Sequence, residues 1–130
     1  MKKIIVTEKA PKAIGPYSQA VEINLTLYVS GQIPIDPATG EVLSADIKIQ
    51  TAQVLKNLGS VLSSAGYNYS DVVKTTCMLS DMANFAAMNE IYASVFTKDF
   101  PARSTFQAAK LPLGVLVEID AVASKAVKQD

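Results

Sequence analysis

The 130-residue sequence contains no histidine, no tryptophan and a single cysteine. Without histidine there can be no Ser-His-Asp or Cys-His nucleophile system, and the usual zinc ligand sets are missing as well. One cysteine cannot close an internal disulfide, which suits a reducing compartment and makes the cytoplasm the expected location. No apolar run approaches the roughly 20 residues that a membrane span requires, so no membrane partner is expected. The start, Met1-Lys2-Lys3-Ile4-Ile5-Val6-Thr7, has two lysines but only a short apolar run before Glu8. It reads as a first strand and not as a signal peptide. No glycine-rich phosphate loop or dinucleotide fingerprint is present. Charge excess is lacking too: 12 basic residues balance 12 acidic ones, which gives no electrostatic case for nucleic acid. An enzyme with this inventory has to work through positioning, electrostatics, a carboxylate and water, with no metal or cofactor expected.

What is present is a well-filled apolar pattern. Apolar residues make up 49% of the chain, and its length is that of one domain over residues 1–130 with a real core. Lys3–Val6 reads as a strand. A loop from Glu8 to Tyr17 follows, fixed sharply at Gly15-Pro16. Ala20–Ile23 and Leu27–Gln32 read as two strands around a tight Asn24-Leu25 turn. Gly31, inside the second, indicates a bulge or a close backbone approach. Pro34 to Gly40 is a turn cluster. From Ser44 to Ala65 the period becomes helical, with Ile47, Thr51, Val54, Leu55, Leu58, Val61, Leu62 and Ala65 as the stripe. Ser44 is the expected N-cap and Gly66 the residue past the end. Asp71–Leu79 is a strand that holds Cys77, a packing thiol for want of any base to activate it. Ser80 or Asp81 caps a second helix to Thr97, with Phe85, Met88, Tyr92 and Val95 on its stripe and Asn89 at the border. The order is βββαβαββ, an α+β chain with both helices on one face of the sheet. Val115–Ala123 is apolar on both parities apart from Glu118 and Asp120. Its second face therefore needs a cover, and another copy of the chain is the simplest one.

Two charged residues stand out. Arg103 opens the alternating run Arg103-Ser104-Thr105-Phe106-Gln107 just after Pro101, which suits the first residue of a strand. A guanidinium on a rigid strand can bind both oxygens of a small carboxylate. Glu118 is a carboxylate in an apolar strand, and a charge there needs a partner or a task. A direct hairpin pairing Lys110 with Val115 would set Gln107 opposite Glu118 and put Arg103, Thr105 and Glu118 on one face. A one-residue slip, or strands that are not neighbours, would separate them. The plainer alternative is a surface arginine and a solvated edge glutamate. Tyr17, on the Gly15-Pro16 loop, either presents its hydroxyl to a ligand or packs its ring over a core edge.

Several fragments together closely resemble one family. They are Ile14-Gly15-Pro16-Tyr17-Ser18-Gln19-Ala20, Ser30-Gly31-Gln32-Ile33-Pro34, Val73-Lys74-Thr75-Thr76, Asn89 with Tyr92, Phe100-Pro101-Ala102-Arg103-Ser104, and Val117-Glu118-Ile119. Their order and spacing are those of the RidA (YjgF-type) reactive-intermediate deaminases, over nearly the whole chain. The resemblance implies a chorismate-mutase-like fold and a homotrimer with clefts between subunits. It implies hydrolysis of small 2-imino acids, such as 2-iminopropanoate and 2-iminobutanoate, and their enamine tautomers to 2-oxo acids and ammonia. Arg103 would bind the substrate carboxylate and Glu118 would position or activate water. Tyr17, Ser30, Gly31, Asn89 and the backbone at Thr105 would line the pocket. Some relatives carry cysteine where this chain has Thr105, a departure that a backbone role tolerates. The alternative function is a regulatory or interaction module that binds a small carboxylate without turnover.

Overall fold

The computed structural model describes residues 1–126; the last four residues of the expected 1–130 unit lie outside the described part. Six strands form one mixed sheet in the order β1-β2-β3-β8-β6-β7. They are β1 (Lys3–Ile5), β2 (Ala20–Ile23), β3 (Thr26–Gln32), β6 (Val72–Leu79), β7 (Ala102–Gln107) and β8 (Val117–Ser124). Two very short strands, β4 (Ile35–Asp36) and β5 (Glu41–Val42), pair separately. Strands of two residues are too short to show a period in the sequence, so the 34–40 segment reads there only as a turn. Asp36 shapes that turn by accepting the Ala38 N–H at 2.9 Å.

The β2–β3 turn forms as expected, with Asn24 and Leu25 at positive φ. A left-handed leucine costs about 1–2 kcal/mol, which the flanking ladder has to cover.

Helix α1 (Ile47–Ser64) starts later than expected. Its cap is Asp46 and not Ser44: the Asp46 carboxylate accepts the N–H groups of Lys48 and Ile49 at 2.9 and 3.0 Å. A carboxylate satisfies the orphan donors and also complements the positive end of the helix dipole. At the other end Gly66 takes φ +84, as a residue just past a helix does. Asp81 caps a single 3₁₀ turn, Met82–Asn84, and α2 (Phe85–Val95) follows it. The chain leaves the helix at Phe96, which is extended, before the expected end at Thr97.

Both helices pack on one face of the sheet. Leu27, Val29, Cys77, Leu79, Val117, Ile119, Ala121 and Ala123 meet Val54, Leu55, Leu58, Val61, Leu62, Met88 and Tyr92 in one buried cluster. The opposite face carries exposed apolar side chains, among them Ile4 at 47%, Tyr28 at 51% and Phe106 at 47%.

The direct β7–β8 hairpin does not form. Strand β6 lies between the two, parallel to β7 and antiparallel to β8. Helix α2 is the crossover that makes β6 and β7 parallel. The chain leaving β7 then wraps the end of β6. Ala108 N–H donates to the Leu79 carbonyl at 2.9 Å, and Ser80 N–H donates to the Leu116 carbonyl at 3.1 Å.

Buried amides tie the loops to this frame. Gln50 accepts the Leu116 N–H at 2.8 Å and donates to the carbonyls of Leu43 and Ser44. Asn57 donates to the carbonyls of Ile33 and Ile35 at 3.1 and 2.9 Å. Asn57→Ala leaves both carbonyls without that partner, and a buried acceptor so abandoned costs about 1–3 kcal/mol. Urea unfolding of the variant should show a loss of that order with an unchanged slope.

Candidate active site

The bulge in β3 organises one half of the site. The β3–β8 register is regular through Val29↔Ala121 and resumes at Gln32↔Ile119. Two residues of β3, Ser30 and Gly31, thus face one residue of β8. The extra residue brings the β3 backbone against Glu118, so closely that a Cβ at Gly31 would overlap the carboxylate Oε2. The close approach expected for Gly31 is therefore made by a side chain of the same chain. Ser30 is held by its own hydroxyl, which donates to the Ser18 carbonyl at 2.6 Å.

The 8–17 loop closes the other side of this cleft. Gln19, buried at the start of β2, accepts the Thr7 N–H at 2.8 Å and donates to the carbonyls of Thr7 and Pro11 at 3.0 and 2.8 Å. One amide thereby replaces the ladder that a loop lacks. Tyr17 is half exposed, and its hydroxyl accepts the Ile14 N–H at 3.3 Å. The Tyr17 side chain borders a cleft, with its hydroxyl turned to its own loop. The cleft has a volume of about 430 Å³ and is walled by Tyr17, Ser30, Gly31, Ile33, Pro112 and Glu118, with Lys12 also on its lining.

Glu118 is half-buried here. Burial pushes its carboxyl above the usual carboxylate range, and the negative charge of Asp120 adds to that. Among the described residues no cation lies within ion-pair distance of it; the one such pair is Lys48–Glu90.

Arg103 lies elsewhere. It pairs with Thr75, and Thr75 with Ala121, both buried on the helix side. Glu118 pairs with Met78, and Met78 with Phe106, on the open side. The shared face that a hairpin would have created does not exist: within one chain, Arg103 and Glu118 occupy opposite faces of the sheet. The physical reason is the intervening β6, which sets a register one residue different from the hairpin's.

The Arg103 guanidinium is firmly placed. It donates to Asn89 Oδ1 at 2.7 Å and lies 4.8 Å from the centre of the Tyr92 ring and 5.6 Å from that of Phe85. The Tyr92 hydroxyl is itself anchored 2.8 Å from the Thr75 hydroxyl. These contacts engage one edge and the faces of the fork. A second cleft of about 330 Å³ opens at this place, lined by Asn89, Tyr92, Ala93, Phe100, Pro101 and Arg103. Asn89, expected at the border of its helix stripe, is thus the residue that aims the arginine.

Thr105 pairs with Cys77 one step along β7, and its Oγ1 is buried beside the thiol. Because β7 is an edge strand, part of its backbone lacks a strand partner. Burial pushes the Cys77 thiol up to about 11, while Arg103 and the hydroxyls of Thr75 and Thr105 pull the other way. A thiol this far from ionisation is packing and not a nucleophile. Among the described residues no cluster of three or more His, Cys, Asp or Glu side chains could hold a metal ion, and no helix is long and apolar enough to cross a membrane.

Sequence reasoning missed Gln19, Gln50 and Asn57. The signal was available in part: Gln50 and Asn57 sit two helical turns apart at the edge of the α1 stripe, where amides are buried only if bonded.

The fold and this pair of clefts define a class: small α+β proteins with a two-helix layer on a mixed sheet, an arginine held by an amide in one cleft and a desolvated carboxylate in the other. A family profile described as Endoribonuclease L-PSP matches residues 7–125. A RutC family protein of Pyrococcus horikoshii is 53% identical over 125 residues, 96% of this chain and 99% of its own length. The 2-iminobutanoate/2-iminopropanoate deaminase of Mus musculus is 48% identical over 123 residues, 95% of this chain and 91% of that protein. A solved structure of a Rid family protein from Yersinia pestis superposes with a TM-score of 0.94 at 49% identity, covering 96% of this chain and all of that one (100%). The chain belongs to the Endoribonuclease L-PSP family, known also as the YjgF/RidA family.

The position of Glu118 has a measurable consequence. Its folded-state carboxyl binds a proton more readily than the unfolded one, so the charged form costs stability above the folded pKa. Below the unfolded pKa both states are neutral and the cost disappears. Glu118→Gln should therefore melt higher than the parent protein at neutral pH. The difference should close as pH falls through the carboxylate range, which melts from about pH 3 to 8 would follow.

Proposed function

We propose that residues 1–130 act as one domain that hydrolyses small 2-imino acids, such as 2-iminopropanoate and 2-iminobutanoate, and their enamine tautomers to 2-oxo acids and ammonia. One observation carries the reading: the chain holds ready both an arginine fork with no acidic partner among the described residues and a desolvated carboxylate with no basic one. A substrate that is an anion at one end and a hydrolysable C=N at the other supplies what each lacks. The name carried by the mouse relative, a deaminase, supports turnover over a module that only binds.

In this mechanism the free edge of Arg103 grips both oxygens of the substrate carboxylate. Asn89 keeps the guanidinium from rotating, and the backbone of the edge strand at Thr105 offers polar groups to the same ligand. Glu118 holds a water, and Tyr17, Ser30 and Gly31 shape the cleft around it. The water oxygen bonds to C2 as its proton passes to Glu118. The C=N π pair moves to nitrogen, which takes that proton back from Glu118. The carbinolamine hydroxyl then gives up its own proton, passed by Glu118 to nitrogen, as the C2–N bond breaks, so ammonia leaves and the C=O of the 2-oxo acid remains. A conjugated imine is electrophilic enough for water, so alignment carries much of the work. A positioned acid-base group adds roughly 10²–10⁴-fold. The raised proton affinity of Glu118 makes it a stronger base than a solvated carboxylate. The chemistry calls on no cofactor.

The reading includes a homotrimer whose sites lie between subunits. Two findings support it: the open sheet face with its exposed Ile4, Tyr28 and Phe106, and the placement of the two clefts on opposite faces of one sheet. A closed ring of like contacts would bring the Arg103 cleft of one subunit to the Glu118 cleft of the next.

Two experiments test these points. Ammonia release from 2-aminoacrylate generated in situ should exceed decay in buffer alone, and Arg103→Lys should reduce it. Lysine keeps the charge but cannot grip two oxygens while bonding Asn89, and a ~1 Å misplacement costs on the order of 10²-fold. Near-normal turnover in Arg103→Lys would refute bidentate positioning. Next, Arg103→Ala and Glu118→Gln, each nearly inactive alone, should complement one another after unfolding and refolding as a mixture, recovering up to about a quarter of normal activity from shared sites. A mixture as inactive as its components places both residues in one subunit's site.

A further inference from the structure

Asp120 has entered so far only as a charge near Glu118, yet its placement is specific. It lies two residues from Glu118 on β8, so both side chains leave the same face of the sheet about 7 Å apart along the strand. Both are half-buried. Asp120 does not swing free: the Thr76 N–H of the neighbouring β6 donates to its Oδ1 at 3.1 Å. A backbone donor thus fixes a second carboxylate on the open face, beside the one that handles the water.

The surroundings leave this negative charge poorly compensated. From β6, Thr76 and Met78 flank the pair, and Lys74 lies further along with its ammonium turned to the Ser104 hydroxyl on β7 at 3.1 Å. From β3 the neighbours are Ser30 and Gly31, with Tyr28 further along the face. From the 8–17 loop, Lys12 and Tyr17 border the Glu118 cleft. Among the described residues neither lysine forms an ion pair with either carboxylate.

From this geometry we infer that Asp120 is a positioning residue for the hydrolysis: a carboxylate fixed by the Thr76 N–H on the same face of β8 as Glu118, acting through that neighbour. The inference rests on the reading of Glu118 as the group that takes the proton from water. Two like charges on one face disfavour ionisation of the second, in line with the contribution of Asp120 to the Glu118 carboxyl. A base is most effective when its proton affinity approaches the working pH. Asp120 moves Glu118 in that direction without touching the substrate.

The test uses Asp120→Asn, which keeps an oxygen for the Thr76 N–H and removes only the charge, with Asp120→Glu as the charge-retaining control. Two readouts are taken on the full chain: the titration of the Glu118 side-chain carboxyl by carbon-13 NMR, and kcat against pH for imine hydrolysis. Asp120→Asn should titrate Glu118 at lower pH and move the acidic limb of kcat with it. The plateau should fall roughly twofold or more, as the base weakens. Asp120→Glu should restore both towards the parent values. An unchanged Glu118 midpoint in Asp120→Asn overturns the inference. A midpoint that moves while the rate profile stays fixed overturns the base role of Glu118 itself, and with it the catalytic purpose assigned to Asp120.

Discussion

Arg103 and Glu118 are kept apart by the pleat of a single sheet. Side chains alternate between faces along a strand, and β6 lies between the strands that carry the two residues. Neither can reach the other's side without unpicking the ladder. On the proposed mechanism this constraint decides where chemistry can occur, because a carboxylate held at Arg103 of one chain lies on the face away from that chain's own Glu118. It also gives the exposed apolar face a purpose. A surface that would be a liability on an isolated subunit is, in the proposed trimer, the means of bringing complementary halves together.

Around this constraint the structure invests in rigidity at a few polar points. Asn89 and the rings of Tyr92 and Phe85 aim the guanidinium, and Thr75 in turn anchors Tyr92. On the other side Gln19 ties down the loop that carries Tyr17, and the β3 bulge presents Ser30 and Gly31 to Glu118. Asn89, Thr75, Tyr92, Gln19 and Ser30 each make at least one side-chain hydrogen bond within the chain. Preorganisation of this kind is what hydrolysis of an already reactive imine demands, since misplacement by about an ångström undoes most of the benefit.

Much of this was legible in the sequence. The 3.6-residue stripe gave α1, alternation gave β2, β3 and β7, and the oddity of a charge inside an apolar strand singled out Glu118. Gly31 stands out because glycine weakens a strand unless something needs its space. The neighbour relations of the strands were not legible. Alternation says which residues share a face within one strand, but the face on which two strands agree depends on what pairs between them. For β7 and β8 that is β6, nearly thirty residues earlier in the chain. The loop tethers were hidden for a related reason: Gln19, Gln50 and Asn57 bond to carbonyls, which every residue has, so nothing in the partner's identity announces the bond. The cap at Asp46, not the expected Ser44, was equally hard to read, since serine and aspartate both accept the first helical N–H groups well.

The contact between Gly31 and Glu118 bears on how this protein can vary over time. The space that any side chain at position 31 would occupy is already filled by the carboxylate. The two positions therefore form one steric unit shared by two strands, and neither can drift alone. A lineage that acquires a side chain at 31 must first carry a displaced carboxylate, and one that shortens 118 opens a hole before anything fills it. On the proposed mechanism each route to a new pair crosses an intermediate with a displaced or missing carboxylate, so a change of substrate preference has easier paths through the cleft's other walls, at Ile33, Pro112 and the 8–17 loop.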